Sequence, residues 1–137
     1  MNYSLNLLKI LGIDVARELN REKRLPEEKL FQAIICQAFE DSLSSGNLKQ
    51  DAYAKQDAIE WFSRKDEDFN RCCWFANFDP EMIFEKFKDL TIKGTIKYTH
   101  IQIKWVKYRY LYKLYRACNS KEKRRDILKE INKIQIG

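Results

Sequence analysis

Residues 95–117 read TIKYTHIQIKWVKYRYLYKLYRA, and whether this stretch is a helix or a hairpin decides the fold class. Its β-branched and aromatic residues favour strands, and residues 101–105 alternate apolar and polar side chains. A set of aromatic and apolar residues nevertheless recurs at steps of four and three: Ile101, Trp105, Tyr108, Tyr112 and Tyr115. About 20 residues also pass without a turn signal, which is long for a strand. One long helix is therefore predicted, with a hairpin over residues 95–112 as the alternative.

A second apolar stripe lies on the opposite side of this predicted helix: Ile103, Val106, Tyr110, Leu114 and Ala117. Cations occupy the two flanks between the stripes, with Lys104 and Lys107 on one flank and, on the other, Arg109, Lys113 and Arg116. Two interpretations stay open. Both stripes could be core, with the cationic side chains extending to water. Alternatively, the aromatic rings stack on bases while the flanking cations hold phosphates.

The rest of the chain predicts an all-α fold in one domain, residues 1–137, with six or seven helices. Four Gly and two Pro are few for an all-β fold. Pro26 with Glu27 and Glu28 suits the start of a helix, because proline lacks the N–H that is unpaired there and carboxylates favour the positive end of the dipole. The alternative is an α+β fold that contains the hairpin.

Apolar spacing predicts which faces of the first long helices are buried. The inward residues predicted for the helix after Pro26 are Leu30, Phe31, Ile34, Ile35, Ala38 and Phe39. In the helix over about residues 49–62 they are Ala54, Ala58, Trp61 and Phe62. A shorter helix from about residue 67 to 75 is expected to bury Phe69, Cys72, Cys73 and Ala76.

Residues 68–90 have the pattern of a helix-turn-helix, with a tight turn between two short helices. Asn77 tolerates the left-handed conformation that ends helices, Asp79 is a strong N-cap, and Pro80 fits the first helical position. A recognition helix offers Arg, Lys, Asn or Gln to base edges, whereas residues 81–89 carry three acidic and two basic residues. A packed corner of two helices is the alternative to a DNA-reading motif.

The same region resembles small, uncharacterised helical proteins of prophages and related bacterial genomes. The matching residues, within a resemblance over about residues 31–90, are Ala58, Trp61, Phe62, Ser63, Asp68, Phe69, Cys72 or Cys73, Ala76, Asp79, Pro80 and Ile83. The resemblance implies a DNA-binding role. Asn77 replaces the turn glycine of that pattern, and residues 84–86 stand where it has a basic run.

The charge of the chain is concentrated at one end. Residues 93–137 hold 13 Lys and Arg against 3 Asp and Glu, a net charge of +10, whereas residues 1–92 hold 13 against 17, a net charge of −4. The densest cluster is Lys121, Lys123, Arg124 and Arg125. A basic segment rich in tyrosine is typical of proteins that bind a polyanion.

Enzymatic, cofactor and metal chemistry find little support in the sequence. His100 is the only histidine, and no P-loop, G-x-G-x-x-G or G-x-S-x-G motif is present. The four cysteines lack C-x-x-C spacing, which favours free thiols in a reducing cytoplasm over a metal site or a disulfide. No apolar run approaches the ~20 residues that cross a bilayer. We therefore expect no catalytic residue, no cofactor, no metal and no membrane partner.

These observations lead to two hypotheses. The first is a non-enzymatic nucleic-acid-binding protein, regulatory or accessory in phage or bacterial DNA metabolism, with DNA preferred to RNA. Its expected contact residues are Lys104, Lys107, Arg109, Lys113, Arg116, Lys121, Lys123, Arg124 and Arg125. The alternative is an adaptor or inhibitor that docks an acidic or nucleic-acid-binding protein, since Tyr, Trp and Arg are enriched in interface hot spots. A homodimer is compatible with either.

Overall fold

The computed structural model describes residues 3–134, and these residues form eight α-helices and no strand. The all-α prediction is confirmed, and the α+β alternative is wrong. The predicted number of six or seven helices is too low, because Gly12 at φ +94° separates α1 from α2. The basic segment 93–137 extends past the described residues at 135–137. The helices are α1 (Leu5–Leu11), α2 (Ile13–Leu19), α3 (Pro26–Leu43), α4 (Lys49–Arg64), α5 (Glu67–Phe75), α6 (Pro80–Ile92), α7 (His100–Ala117) and α8 (Lys121–Lys133).

Local capping chemistry explains where the helices begin. The Asp66 carboxylate accepts a hydrogen bond from the Phe69 amide at 3.1 Å, and the Asp79 carboxylate accepts one from Glu81 at 3.0 Å. At α7, the Thr99 hydroxyl accepts from the Gln102 amide while the Gln102 side chain accepts from the Thr99 amide. This reciprocal capping box fixes the helix start five residues after the beginning of the strand-like stretch. Capping thus outweighs β propensity in residues 95–117.

Contacts between Cα atoms divide the described chain into two units. The first unit comprises residues 3–43 and 57–97, and the second comprises residues 44–56 and 98–134. The division falls within α4. The single-domain interpretation stays a prediction.

The first unit is built around an apolar core from α1 to α6. Leu11, Phe39, Phe62, Phe69 and Ile83 are fully buried in it. Phe62 lies with its ring centroid 4.6 Å from that of Phe39. The predicted buried face of α5 is confirmed, because its four inward residues all lie in this core.

The predicted buried faces of α3 and α4 are partly wrong. Leu30 and Ile34 of α3 are exposed, whereas Gln32 is fully buried. The Gln32 amide donates to the Ala76 carbonyl at 3.0 Å, and its oxygen accepts from Arg24 at 2.8 Å. In α4, Lys55 is only 1% exposed. Hydrogen bonds allow these polar side chains to be buried, and apolar spacing alone does not detect them.

The helix-turn-helix-like corner is a tight turn between α5 and α6. Asn77 adopts φ +63°, the left-handed conformation predicted for it. The Phe78 amide then donates to the Cys73 carbonyl at 2.9 Å, which closes the end of α5. Burial alone would raise the pKa of the Glu18 carboxyl, but hydrogen bonds with Arg21 and with the Asn77 side chain lower it. The corner is thus tied to α2 within the first unit.

The second unit contains α7, α8, the loop at residues 44–48 and the first half of α4. Gln102 is the single buried residue of α7, while Ile103 and Tyr110 are 55% and 58% exposed. The interpretation of both α7 stripes as core is therefore wrong. Ile131 of α8 is buried, and α7 and α8 contact each other. The aromatic stripe of α7 is only half-buried, so part of its surface remains accessible to a binding partner.

Candidate nucleic-acid interface

The charge asymmetry of the sequence coincides with the two structural units. Residues 44–56 and 98–137 carry 13 Lys and Arg against 4 Asp and Glu, a net charge of +9. The remaining residues carry 13 against 16, a net charge of −3. The second unit therefore concentrates the positive potential that a polyanion requires.

Gln102 is the centre of a buried polar cluster in the second unit. Its Nε2 donates to the carbonyls of Ser44 and Gly46 at 2.9 and 3.0 Å. Its Oε1 accepts from the Thr99 amide at 2.9 Å and from the Lys55 ammonium at 3.1 Å. The side chain thereby uses both of its N–H groups and both lone pairs of its oxygen.

Lys55 connects this cluster to α4. Its Nζ also donates to the Ser44 carbonyl at 2.6 Å and lies 5.7 Å from the centre of the Tyr98 ring. Burial lowers the pKa of the Lys55 ammonium. The Trp105 indole donates to the Asn47 carbonyl at 3.0 Å. Together these bonds hold the loop at residues 44–48 and the start of α4 against α7.

This arrangement forms an open cleft of about 420 Å³ between the start of α4 and the middle of α7. We name it the tyrosine cleft; its lining residues are Lys49, Tyr53, Tyr108, Arg109, Tyr112 and Arg116. Three of the six are cationic, three are phenolic and none is acidic. The composition suits a ligand with negative charge and flat apolar surfaces.

Arg109 organises one wall of the tyrosine cleft. Its guanidinium lies 4.6 Å from the centre of the Tyr53 ring, and its Nη1 donates to the Gln56 side chain at 3.1 Å. Burial raises the pKa of the Tyr53 phenol, while the positive charges of Arg109 and Arg116 act in the opposite sense. Arg109 therefore fixes Tyr53 in place, whereas Arg116 and Lys49 are exposed.

Four neighbouring rings form an aromatic ladder along α7: Trp105, Tyr108, Tyr112 and Tyr115. Successive ring centres are 5.5, 4.8 and 6.3 Å apart, and successive ring planes are inclined by 85°, 57° and 72°. A hydrogen bond with Tyr108 raises the pKa of the Tyr112 phenol. No two neighbours in the ladder stack flat on each other.

The structure separates the predicted contact residues into three groups. Arg109 and Arg116 line the tyrosine cleft, and Lys113 is exposed on the same helix. Lys104 and Lys107 line a different cleft with Lys133 and Glu130. The third group is exposed in the first turns of α8 and consists of Lys121, Lys123, Arg124 and Arg125. Arg124 stacks on the last ring of the ladder, with its guanidinium 4.5 Å from the centre of Tyr115.

Two residues that α4 contributes to the cleft, Lys49 and Tyr53, are not among the contact residues predicted from the sequence. Lys49, Tyr53 and Gln56 follow one another at spacings of four and three residues, which places all three on one helical face. That spacing was a usable signal, but the face lacks aliphatic residues and so resembles a solvated surface. The pairing of this face with α7 depends on the Gln102 cluster, which no local pattern indicates.

The corner between α5 and α6 offers a poorer surface for a polyanion. Glu81, Glu85 and Asp89 of α6 are exposed, and the Lys65 ammonium is paired with Glu81. Lys65 also lies 4.8 Å from the centre of the Phe84 ring. The exposed acidic side chains would repel phosphates at this helix.

Other features of the described residues concern thiols, metals and membranes. All four cysteines are free thiols, and Cys36, Cys72 and Cys73 are buried. Burial raises the pKa of Cys36 and of Cys73 to about 12. Within residues 3–134, no three His, Cys, Asp or Glu side chains are grouped as a metal site would need. Over the same residues, each helix is too short or too polar to span a bilayer.

The chain matches no family model, and neither a curated protein nor a solved structure matches it. The resemblance to the prophage proteins stays a prediction. At its one departure in the turn, Asn77 adopts the left-handed conformation that the glycine of the pattern would favour.

Proposed function

We propose that this chain is a non-enzymatic nucleic-acid-binding protein, and that the basic second unit holds the polymer. The resemblance to prophage proteins adds the proposal of a regulatory or accessory role in phage or bacterial DNA metabolism. The tyrosine cleft is the observation that carries the proposal. It combines three cations with three phenol rings and lacks a carboxylate among its lining residues.

The chemistry of the cleft corresponds to the two parts of a nucleotide. Lys49 and Arg116 are exposed and can neutralise phosphates, which releases condensed counterions and supplies affinity. The rings of Tyr108 and Tyr112 can contact bases or sugars in the same cleft. The carboxylates of an acidic protein would pair with the cations equally well. A nucleic acid, however, carries one planar base for each phosphate, whereas an acidic protein has no planar ring for each carboxylate. The interleaving of rings and cations therefore favours nucleic acid.

Salt dependence tests this proposal. We expect a fluorescein-labelled DNA duplex to bind with an affinity that falls steeply between about 50 and 200 mM salt. If three cations neutralise phosphates, the log–log slope is about −3, since each contact contributes about 0.9. Fluorescence anisotropy at several salt concentrations measures the slope.

Polyglutamate of matched charge is the control for a simple polyanion effect. It should displace the labelled DNA only at much higher charge concentration than unlabelled DNA does. Equal displacement would favour the adaptor hypothesis, in which an acidic protein occupies the surface. An absence of DNA and RNA binding at the lowest salt concentration would contradict the proposed function.

A further inference from the structure

We infer that the tyrosine cleft and the aromatic ladder bind the unpaired bases of a single strand in preference to an intact duplex. The inference rests on the proposed function and names the form of nucleic acid that this surface takes. Single-stranded DNA and single-stranded RNA share the chemistry that this surface would recognise, which is a nucleobase with an accessible face next to a phosphate.

The first argument concerns which surfaces the rings can contact. In a duplex, the base faces are stacked on one another, and a protein meets only base edges and the backbone. Tyr108 and Tyr112 are half-exposed and line the cleft. No neighbouring rings in the ladder stack flat, and because all four residues are only partly buried, the ring contacts leave part of each ring surface open. Unpaired bases are the nucleic-acid surfaces that such rings can stack on.

The second argument concerns the arrangement of cations around the rings. Arg109 covers one side of Tyr53, and Arg124 covers one side of Tyr115, at 4.6 and 4.5 Å respectively. These two pairs show that planar cations already stack on rings at this surface. Tyr108 and Tyr112 line the same cleft as Tyr53, and Tyr112 neighbours Tyr115 in the ladder. The exposed Arg116 and Lys49 line this cleft as well. A base on this platform would therefore have its own phosphate close to a cation.

The third argument concerns length. Trp105 and Tyr115 are ten residues apart, so the ladder extends about 15 Å along the helix at about 1.5 Å per residue. With at most one base stacked on each of its four rings, the ladder accommodates up to about four nucleotides. Four nucleotides is the lower end of the footprint of known single-strand-binding domains, about 4–16. A probe of about 12 nucleotides covers the ladder with flanking contacts.

Equilibrium binding of oligothymidylate, oligouridylate and a duplex of equal length tests the inference. We expect at least one of the single strands to bind at least tenfold more tightly than the duplex at the same salt concentration. Combining Tyr108→Ala with Tyr112→Ala should weaken single-strand binding tenfold or more, in line with the stacking contribution of a base on an aromatic ring. Duplex binding should change less than twofold. The matched control is Tyr110→Ala, which removes an exposed tyrosine from outside the tyrosine cleft and the ladder.

A phenylalanine pair and a crosslinking measurement cover the case in which the alanine variant does not fold. Tyr108→Phe with Tyr112→Phe preserves the rings, so single-strand binding should stay within about threefold of the parent. An oligonucleotide containing 5-bromouracil should crosslink on irradiation to Tyr108, Tyr112 or Trp105 of the parent chain. Crosslinks found only outside residues 49–56 and 105–116 would overturn the inference.

The outcomes separate this inference from the proposed function. If neither single strand nor duplex binds, both fail. If the duplex binds as tightly as the strands, or if the alanine pair has no more effect than Tyr110→Ala, then only the stacking inference fails. A preference for single strands that disappears with the alanine pair supports it.

Discussion

Replacing Gln102 with leucine is expected to lower the free energy of unfolding by about 3 kcal/mol or more, because buried polar groups that lose their partners each cost about 1–3 kcal/mol. Gln102 is fully buried and bonds Ser44, Gly46, Thr99 and Lys55. Leucine makes none of these bonds and also removes half of the capping box at the start of α7. Urea denaturation followed by circular dichroism at 222 nm measures the change.

Gln37→Leu is the matched control for this substitution. Gln37 is an exposed residue of α3 whose amide donates to Asp41 at 2.9 Å. The same chemical change there should alter the free energy of unfolding by no more than about 0.5 kcal/mol. If Gln102→Leu is as mild as Gln37→Leu, the buried cluster does not hold the loop at residues 44–48 against α7, and the tyrosine cleft lacks its structural support.

Reversing two charges in the tyrosine cleft is expected to weaken nucleic-acid binding at least thirtyfold, which corresponds to about 2 kcal/mol. The variant combines Lys49→Glu with Arg116→Glu. Both side chains are exposed, so the fold should tolerate the change, and each new carboxylate repels a phosphate where a cation attracted one. Anisotropy with a labelled oligonucleotide at constant ionic strength gives the ratio of dissociation constants.

The control for this variant has an identical change in net charge in the first unit. Lys88→Glu with Lys93→Glu alters two exposed lysines and should weaken binding by less than about threefold, because neither side chain lines the tyrosine cleft. A larger loss for the control than for the cleft variant would indicate that the end of α6 contacts the polymer. The cleft would then be an ordinary solvated surface.

The class of fold could be predicted from the sequence because its strongest signals are local. The period of residues 101–115 and the cap at Asp79 each depend on a few neighbouring side chains, and the structure confirms both. Strand propensity in residues 95–117 was the competing signal. A helix forms instead of a strand because the Thr99–Gln102 capping box and a long uninterrupted helical period both favour it.

The buried faces were harder to predict, because burial depends on partners distant in sequence. Lys55 and Gln102 are 47 residues apart in sequence and are joined by a buried hydrogen bond. In the sequence alone, each of these polar residues resembles a surface residue. Leu30 and Ile34 show the converse, since apolar side chains at helical spacing remain exposed on α3. A pattern reports the chemistry of a face, whereas the tertiary contacts determine whether that face is covered.

The candidate site was only partly predictable for the same reason. The cations of α7 and α8 were identifiable from the charge excess of residues 93–137. Lys49 and Tyr53 lie in a segment with no such excess, and they join the cleft only through the hydrogen bonds of the Gln102 cluster. The acidity of α6 was also visible in the sequence, and the exposure of its carboxylates supports the choice of the other surface.

A nuclear magnetic resonance titration tests most directly whether the basic second unit is the surface that holds nucleic acid. The isotope-labelled chain would be titrated with an oligothymidylate of about 12 nucleotides, long enough to cover the ladder. We expect the backbone amide resonances of residues 49–56 and 105–116 to shift with the bound fraction, while those of residues 67–92 stay unchanged. Shifts concentrated in residues 67–92, or no shift at any site at low salt, would contradict the assignment of nucleic-acid binding to the second unit.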